Sequence, residues 1–235
     1  MANNYFQFKQ FKIEQDKTAM KVCTDSCIFG ALIKPQQFKK IVDIGTGTGL
    51  LALMIAQRTE ASIDAVEIDE EAAKQALENV QNSPWPEKIK VHVQSIQDFA
   101  ISSDGKYDLI ISNPPFYNNY LKSEDEKINT AHHSTSLSME DLLESVAKLL
   151  LPGGLFMVLL PPFEAELLRE EAIDYNLYTS SIVKIKDTEN AKVLREITVF
   201  SYDLTLPSVA DFIIKKENQY TEEFVALLKD YYLHL

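Results

Sequence analysis

Asn113, Pro114, Pro115 and Phe116 are the residues whose types most clearly suggest chemistry, and they follow the apolar run YDLIIS at 107–112. The Asn113 side-chain oxygen and the Pro114 carbonyl can each accept one N–H of a planar amine. Such an amine is a poor nucleophile because its lone pair is delocalised, and paired acceptors that draw the nitrogen towards sp³ geometry free that lone pair. Each proline fixes φ and lacks an N–H, which holds the acceptors in place, and Phe116 offers a face for a flat ring. The stretch therefore offers two fixed hydrogen-bond acceptors and an aromatic face, which suit a planar amine.

A glycine-rich turn, Asp43-Ile44-Gly45-Thr46-Gly47-Thr48-Gly49, is the second candidate. Glycines allow a ligand to approach the backbone, and the helix that follows offers its N-terminal dipole and free N–H groups. The spacing G-x-G-x-G, with no Lys-Ser/Thr after it, differs from the dinucleotide fingerprint and from the nucleoside-triphosphate loop. Asp43 would repel a pyrophosphate but can accept hydrogen bonds from an ammonium group, directly or through water. The turn therefore favours a cationic amino-acid ligand over NAD.

Glu67 stands in the next apolar run, SIDAVEI at 62–68, 18 residues after Gly49. An acid at the end of the second strand can bind both hydroxyl groups of a ribose. The alternative is a solvated carboxylate at the end of a strand. The position of Glu67 after a glycine turn favours the ribose interpretation.

The elements that must position these residues alternate between short apolar runs and longer stretches with helical periodicity. Strands are predicted at 41–44, 62–68, 89–93, 107–112, 155–160, 182–186 and 196–202. Helices are predicted at about 50–58, 70–80, 138–151, 163–175 and 220–233. Connections of this length imply right-handed crossovers, so we expect an α/β fold with a mostly parallel, seven-stranded sheet and helices on both faces. Ligands of such sheets lie beyond the carboxyl ends of the strands, which places the chemistry at the turns after Ile44, Ile68, Val93 and Ser112.

The composition is that of an ordinary globular protein, with 235 residues of which 46% are hydrophobic and 25% are charged. We expect a single domain over residues 1–235, a monomer or a weak dimer. The chain shows neither a membrane span nor a signal-peptide core, and a cytoplasmic protein is therefore expected. Cys23 and Cys27 lack the second pair or the nearby histidine that a zinc site needs, and no metal is expected.

The formal net charge of −12 argues against a protein that holds nucleic acid by its overall charge. Residues 1–40 differ from the rest, because seven lysines and three acidic residues give them a net charge of +4. The same segment contains Tyr5, Phe6, Phe8 and Phe11, a combination suited to stacking bases while neutralising phosphates. Composition by itself favours the alternative that these aromatic side chains fill the core.

The two turns together, VDIGTGTG at 42–49 and VEID at 66–69, resemble the S-adenosylmethionine-dependent methyltransferases of the Rossmann-like class. The resemblance implies that the glycine turn faces the methionine part of the cofactor and that the acid of the second strand holds its ribose. It places the adenine beside the third turn, where Ser95 stands in place of the usual acid and Ile96 follows. The cofactor contacts implied in these turns are Asp43, Gly45, Gly47, Gly49, Glu67, Ser95 and Ile96.

SNPPF at 112–116 stands where amino-methyltransferases carry the motif N/D-P-P-Y/F, and other blocks are similar, nearly end to end, to the bacterial tRNA1(Val) adenine-37 N6-methyltransferase family. These blocks include FKQFKIEQDKTAMKVCTDSCIFGAL (8–32), LLALMIAQRT (50–59), SPWPEKI (83–89) and ENQYTEEFVALLKDYYL (217–233). The resemblance implies methyl transfer from S-adenosylmethionine to N6 of adenosine 37 in tRNA1(Val). It implies that residues 1–40 pack over the cofactor and RNA side, with Lys21, Thr24 and Asp25 covering the methionine end of the cofactor.

Other acceptors and another class of protein are also considered. The motif is shared with guanine-N2 rRNA methyltransferases, which also use NPPF, and with protein glutamine N5-methyltransferases. A cofactor-binding module without catalysis is a third hypothesis, but such a protein would have no need of both amine acceptors. Residues 117–137, which include Lys122, Lys127, His132 and His133, lack clear periodicity, and we expect a surface or RNA-contacting role for them rather than a metal site.

Overall fold

The computed structural model describes residues 3–18, 20–114 and 137–235. The strands in these ranges are β1 (Tyr5–Gln7), β2 (Lys12–Glu14), β3 (Lys40–Ile44), β4 (Ser62–Glu67), β5 (Ile89–Val93), β6 (Tyr107–Ser112), β7 (Leu150–Leu160), β8 (Tyr178–Lys186), β9 (Val193–Ser201), β10 (Ser208–Ile213), β11 (Lys215–Lys216) and β12 (Gln219–Tyr220). The α-helices are α1 (Thr24–Leu32), α2 (Leu50–Ala56), α3 (Glu70–Gln81), α4 (Ile96–Ser102), α5 (Met139–Leu149), α6 (Pro162–Ala172) and α7 (Glu222–Leu228).

The central sheet has the strand order β10-β8-β9-β7-β6-β3-β4-β5. Only β9 among these strands runs antiparallel to its neighbours, β7 and β8, and this confirms the predicted mostly parallel sheet. An eighth strand, β10, extends the predicted seven at the edge beside β8. Its first four residues are exposed, so it lacks the apolar run that marks the other strands.

Helices cover both faces of the sheet, as predicted, and each face has its own hydrophobic core. Residues of α1, α2, α3 and α7 contribute to one core, and residues of α4, α5 and α6 contribute to the other. Strand β6 shows the alternation, since Leu109 and Ile111 pack in the first core while Tyr107 and Ile110 pack in the second. Helix α1 is buried from Ser26 to Ala31 and therefore lacks the one-sided apolar pattern by which a helix is recognised in a sequence.

The chain order reverses between β3 and β6. From β3 the chain proceeds to β4 and β5 on one side, and it then returns to form β6 and β7 on the other side. Ile44 at the end of β3 pairs with Ser112 at the end of β6. Ligand crevices of open α/β sheets form at such a reversal, and here it brings the glycine turn next to Asn113.

The N-terminal aromatic residues lie largely in the core. The rings of Phe8 and Phe11 stack at a centroid separation of 4.5 Å, and Phe11 meets Trp85 edge-on at 6.0 Å. Tyr5, by contrast, is 49% exposed. Lys40 begins β3 and so lies at the opposite end of that strand from the glycine turn. Lys39 and Lys40, whose amides both donate to Asp108 near the start of β6, therefore lie away from the site.

In the described part of the chain, no helix combines the length and the apolar character needed to cross a membrane.

Candidate active site

The glycine turn after β3 has a backbone that other residues adopt with difficulty. Gly45, Gly47 and Gly49 have φ values of 69°, 57° and 80°. A Cβ atom at Gly45 or Gly47 would meet nothing within 4 Å, so these positions border open space instead of packed protein. The N–H groups of Gly45 and Thr46 both donate to the Val66 carbonyl, at 2.9 and 3.1 Å, and pin the turn to β4. The turn is therefore rigid and open on one side, as a ligand that lies against the backbone requires.

Asp43 lies fully buried beneath this turn. Its Oδ2 accepts a hydrogen bond of 2.6 Å from the Thr46 hydroxyl, and its Oδ1 has no hydrogen-bond partner within the described residues. Burial raises the pKa of Asp43 to about 7, an effect that the Thr46 hydroxyl and the nearby Ala52 amide oppose. The Ala52 amide lies close enough to favour the charged form but outside hydrogen-bonding geometry. A buried acceptor without a partner fits the ammonium group, or a bridging water, that the sequence predicts here.

Glu67 joins the first two turns. Its Oε2 accepts from the Gly47 amide at 2.9 Å and its Oε1 accepts from the Asp69 amide at 3.0 Å. An ionised carboxylate offers about four acceptor positions, so two remain for the hydroxyl groups of a ribose. Asp69 in turn caps α3 by accepting from the Ala72 amide at 2.8 Å, which fixes the path of the chain beyond Glu67.

Two exposed apolar side chains beside Glu67 were not predicted as part of the site. Ile68 is 57% exposed and Val93, which pairs with Glu67 across β4 and β5, is 55% exposed. Large apolar side chains at the carboxyl edge of the sheet suit a flat, weakly polar ring. Their position at the ends of predicted strands was visible in the sequence, but their exposure was not.

Ser95 and Ile96 begin α4 in the third turn. Ser95 is the N-cap of α4, because its Oγ accepts from the Asp98 amide at 3.0 Å and donates to Asp98 Oδ2 at 2.7 Å. Ile96 is buried at 3% exposure. Both residues have structural roles in the turn, and their contact with an adenine stays a prediction.

Asn113 lies at the carboxyl end of β6. The Ser112 hydroxyl donates to the Ile44 carbonyl at 2.9 Å and fixes the strand end, and Pro114 is buried. Asn113 Nδ2 donates to the Ser26 hydroxyl of α1 at 2.9 Å. Because Nδ2 has this partner, Oδ1 is the end of the side chain that can serve a substrate. Predicted residues outside the described ranges are Pro115, Phe116, Lys122, Lys127, His132 and His133.

The block before the glycine turn, Lys21 to Ser26, approaches the same site through α1. Lys21 and Thr24 are exposed. Asp25 Oδ2 lies 3.2 Å from Nε of Arg195 on β9, a contact that local sequence patterns could not reveal. The structure therefore brings this block to Asn113, while a role of its side chains in cofactor binding stays a prediction.

Phe163 is a further residue at this edge that sequence reasoning missed. It is 53% exposed and lies near the start of α6, directly after β7, the neighbour of β6. In the described ranges, the His, Cys, Asp and Glu side chains form no group suited to a metal ion.

Comparison with known proteins shows that the chain is similar to methyltransferases over its whole length. The family model of the methyltransferase small domain matches residues 21–159. A tRNA1(Val) (adenine(37)-N6)-methyltransferase of Cytophaga hutchinsonii is 42% identical over 239 residues, covering 100% of both chains. A protein of the same name from Parabacteroides distasonis is 40% identical over 239 residues, again covering 100% of both chains.

Solved structures share the fold at low sequence identity. A crystal structure from Agrobacterium tumefaciens, described as a predicted O-methyltransferase, superposes with a TM-score of 0.67 and 17% identity. The match covers 88% of this chain and 96% of that chain. The likeness confirms the Rossmann-like methyltransferase fold expected from the sequence.

Proposed function

The chain belongs to the tRNA1(Val) (adenine(37)-N6)-methyltransferase family, and on that premise we propose that it transfers a methyl group to the N6 amino group of adenosine 37 in tRNA1(Val). The methyl donor is S-adenosylmethionine. One observation carries the proposal within the structure: Asn113 at the end of β6 lies beside the glycine turn at the end of β3, with Nδ2 bonded and Oδ1 left for an amine.

The cofactor is assigned to the crevice along the carboxyl ends of β3, β4 and β5. Asp43 Oδ1 accepts from the ammonium group, and the open backbone at Gly45 and Gly47 gives the methionine part room. Glu67 accepts from the ribose hydroxyls. The apolar side chains of the second and third turns border the adenine, namely Ile68, Val93 and Ile96. When bound, S-adenosylmethionine supplies an electrophilic methyl group on a positively charged sulfur.

Asn113 and Pro114 prepare the acceptor nitrogen. Asn113 Oδ1 and the Pro114 carbonyl each accept one N–H of the adenine amino group, which shifts the nitrogen lone pair out of conjugation with the ring. Methyl transfer from a bound cofactor would depend on how Asn113 and Pro114 position this nitrogen more than on a strong base. Phe116 is assigned to stack on the face of the adenine, since aromatic rings stabilise extruded bases in this way.

Adenine is preferred over the other two acceptors because of the full-length relatives. Both relatives carry a name that specifies adenine 37 of tRNA1(Val), and both match this chain from end to end. A guanine-N2 or glutamine acceptor would use the same pair of hydrogen-bond acceptors, so the motif by itself does not separate the three.

The test uses the purified protein, labelled S-adenosylmethionine and two tRNA1(Val) transcripts, one with adenosine and one with guanosine at position 37. We expect N6-methyladenosine in the first transcript and no transfer to the second, as measured by nucleoside mass spectrometry. Ribosomal RNA and release-factor protein serve as competing acceptors. Methylated guanine or glutamine in these competitors, with unmodified tRNA, would overturn the proposal.

A further inference from the structure

The side chain of Asn113 has two ends of nearly the same shape, and only one end serves the proposed reaction. Oδ1 can accept an N–H of the substrate amine, whereas Nδ2 would direct its own hydrogens towards that amine. A half-turn about the last side-chain torsion exchanges the two ends with little steric change. Catalysis therefore requires a group in the protein that selects one orientation.

Ser26 provides such a group. Asn113 Nδ2 donates to Ser26 Oγ at 2.9 Å, although the two residues are 87 positions apart in the sequence. Ser26 is only 3% exposed, so water cannot easily replace this hydrogen bond. Ser26 Oγ also contacts Cys23 Sγ at 2.9 Å. Whichever of these two atoms donates, a serine oxygen keeps a lone pair for Nδ2.

The position of Ser26 is fixed by the packing of α1. A Cβ atom at Gly30 would lie 2.7 Å from Met54 Sδ, so the absence of a side chain there lets α1 approach α2 closely. Helix α2 starts at the glycine turn. Asp25, next to Ser26, pairs with Arg195 of β9 at 3.2 Å. Ser26 is therefore held relative to both the glycine turn and the central sheet.

We propose that Ser26 is a positioning residue for methyl transfer, which holds the Asn113 carboxamide with Oδ1 towards the substrate amine. This role rests on the proposed function, since it requires Asn113 to accept an N–H of the adenine amino group. Lys21, Thr24 and Asp25 of the same block have roles implied by the family resemblance, whereas Ser26 has none.

The first experiment compares Ser26→Ala with the unsubstituted protein on a tRNA1(Val) transcript. We expect kcat to fall about ten-fold, because Nδ2 then faces a buried methyl group without an acceptor, so the orientation that directs Nδ2 outwards to water becomes the more populated one. KM for tRNA and the calorimetric dissociation constant of the cofactor should stay within about two-fold. Cys23→Ala is the matched control, because it removes a neighbour of Ser26 and keeps the bond to Asn113, and its kcat should change less than about two-fold.

The second experiment repeats Ser26→Ala in an Asn113→Asp background. The two oxygens of a carboxylate are equivalent, so no orientation has to be selected, and the loss in kcat should shrink to less than about two-fold. Equal losses in both backgrounds would overturn the proposal and assign Ser26 to the packing of α1. An unchanged kcat of Ser26→Ala in the Asn113 background, or a cofactor dissociation constant that rises in parallel, would also overturn it. If the acceptor were not adenosine 37, the proposed function would fail. The loss in kcat caused by Ser26→Ala in the two backgrounds would then be measured on the acceptor that is found, so the two failures are distinguishable.

Discussion

Asp43 and Asn113 are both half-satisfied polar side chains at the carboxyl edge of the sheet. Asp43 has Thr46 on Oδ2 and no hydrogen-bond partner among the described residues on Oδ1, and Asn113 has Ser26 on Nδ2. In each case a hydrogen bond within the protein to one terminal atom orients the side chain, and the other terminal atom is an oxygen that can bind a ligand. Asp43 Oδ1 is buried, and a buried polar atom without a partner is costly, so a ligand is expected to complete it.

The raised pKa of Asp43 predicts a pH dependence of cofactor binding. Because the folded-state pKa is about 7, the side chain takes up a proton as the pH falls below 7 and no longer attracts an ammonium group. We expect the cofactor dissociation constant to rise by up to about ten-fold for each pH unit below 7, as measured by calorimetry. Asp43→Asn should bind weakly at every pH, and a profile like that of the unsubstituted protein would contradict the assignment.

The control for this experiment is Asp64→Asn on the neighbouring strand. Asp64 bonds to His92 and Tyr107, and its replacement should leave the pH profile of binding unchanged.

The raised pKa of Asp43 also makes the stability of the protein depend on pH. The unfolded state ionises first, so the contribution of Asp43 to the free energy of unfolding is complete below about pH 4 and decreases as the pH rises to about 7.

Asn113→Ala tests the chemical step. We expect kcat to fall about 10²-fold to 10³-fold, since an acceptor that acts on the reacting nitrogen is lost, while cofactor affinity stays within about two-fold. Single-turnover methylation and calorimetry measure the two quantities. A parallel loss of cofactor affinity would show that Asn113 belongs to the cofactor crevice instead.

Among the elements, the turns at the carboxyl edge hold the site rigidly because each is bonded to its neighbour. The Gly47 amide donates to Glu67, and the Ser112 hydroxyl donates to the Ile44 carbonyl. The buried Asn79 of α3 donates to the Thr48 and Glu14 carbonyls, each at 2.9 Å. The glycine turn is thereby tied to β4, to α3 and to the N-terminal strands at once.

Gly47→Ala separates backbone strain from loss of the ligand space. At φ 57° an alanine costs about 1–2 kcal/mol of stability, and its Cβ would enter the open space beside the turn that is assigned to the cofactor. Gly153→Ala is the control, because Gly153 has φ 81° and equally open surroundings in β7, near the amino end of its pairing with β6. We expect similar losses in the urea unfolding free energy for both variants, but a large loss of cofactor affinity only for Gly47→Ala. Equal cofactor affinity in the two variants would argue against the crevice.

Across the whole molecule, the two ends of the chain close over the helices that carry the site. The Lys9 amide donates to the Tyr231 carbonyl at 2.8 Å, and the Tyr231 hydroxyl donates to the Met54 carbonyl of α2 at 2.9 Å. Phe8 is fully buried in the same core as α1 and α2. The N-terminal segment therefore has a clear structural role, and its contact with RNA stays a prediction for its exposed residues.

Phe8→Ala and Tyr5→Ala distinguish these two roles. Phe8→Ala should lower the free energy of unfolding by about 3–5 kcal/mol, because it removes a fully buried ring. Tyr5→Ala, at a ring that is 49% exposed, should change it by less than about 0.5 kcal/mol. A higher KM for tRNA in Tyr5→Ala at unchanged stability would assign that ring to RNA contact. A stable Phe8→Ala variant would contradict the packing described.

The sequence by itself was sufficient to predict the sheet, its carboxyl edge and the candidate residues at that edge. Apolar runs such as YDLIIS mark buried strands, and glycine, proline and acidic residues directly after them have few other uses, so Asp43, Gly47, Glu67 and Asn113 could be selected as candidates. Patterns of this kind can be recognised because each one lies within a few consecutive residues. The exposed edge strand β10 and the buried helix α1 lack such patterns and were not predicted.

Only the tertiary structure decided which distant residues complete the site. Ser26 reaches Asn113 and Arg195 reaches Asp25 because packing of α1 against α2 and the sheet brings separate segments together. The exposure of Ile68 and Val93, and the burial that raises the pKa of Asp43, likewise depend on what surrounds them. Such contacts arise from the packing of whole elements, and a short stretch of sequence does not specify which distant residues will lie next to it.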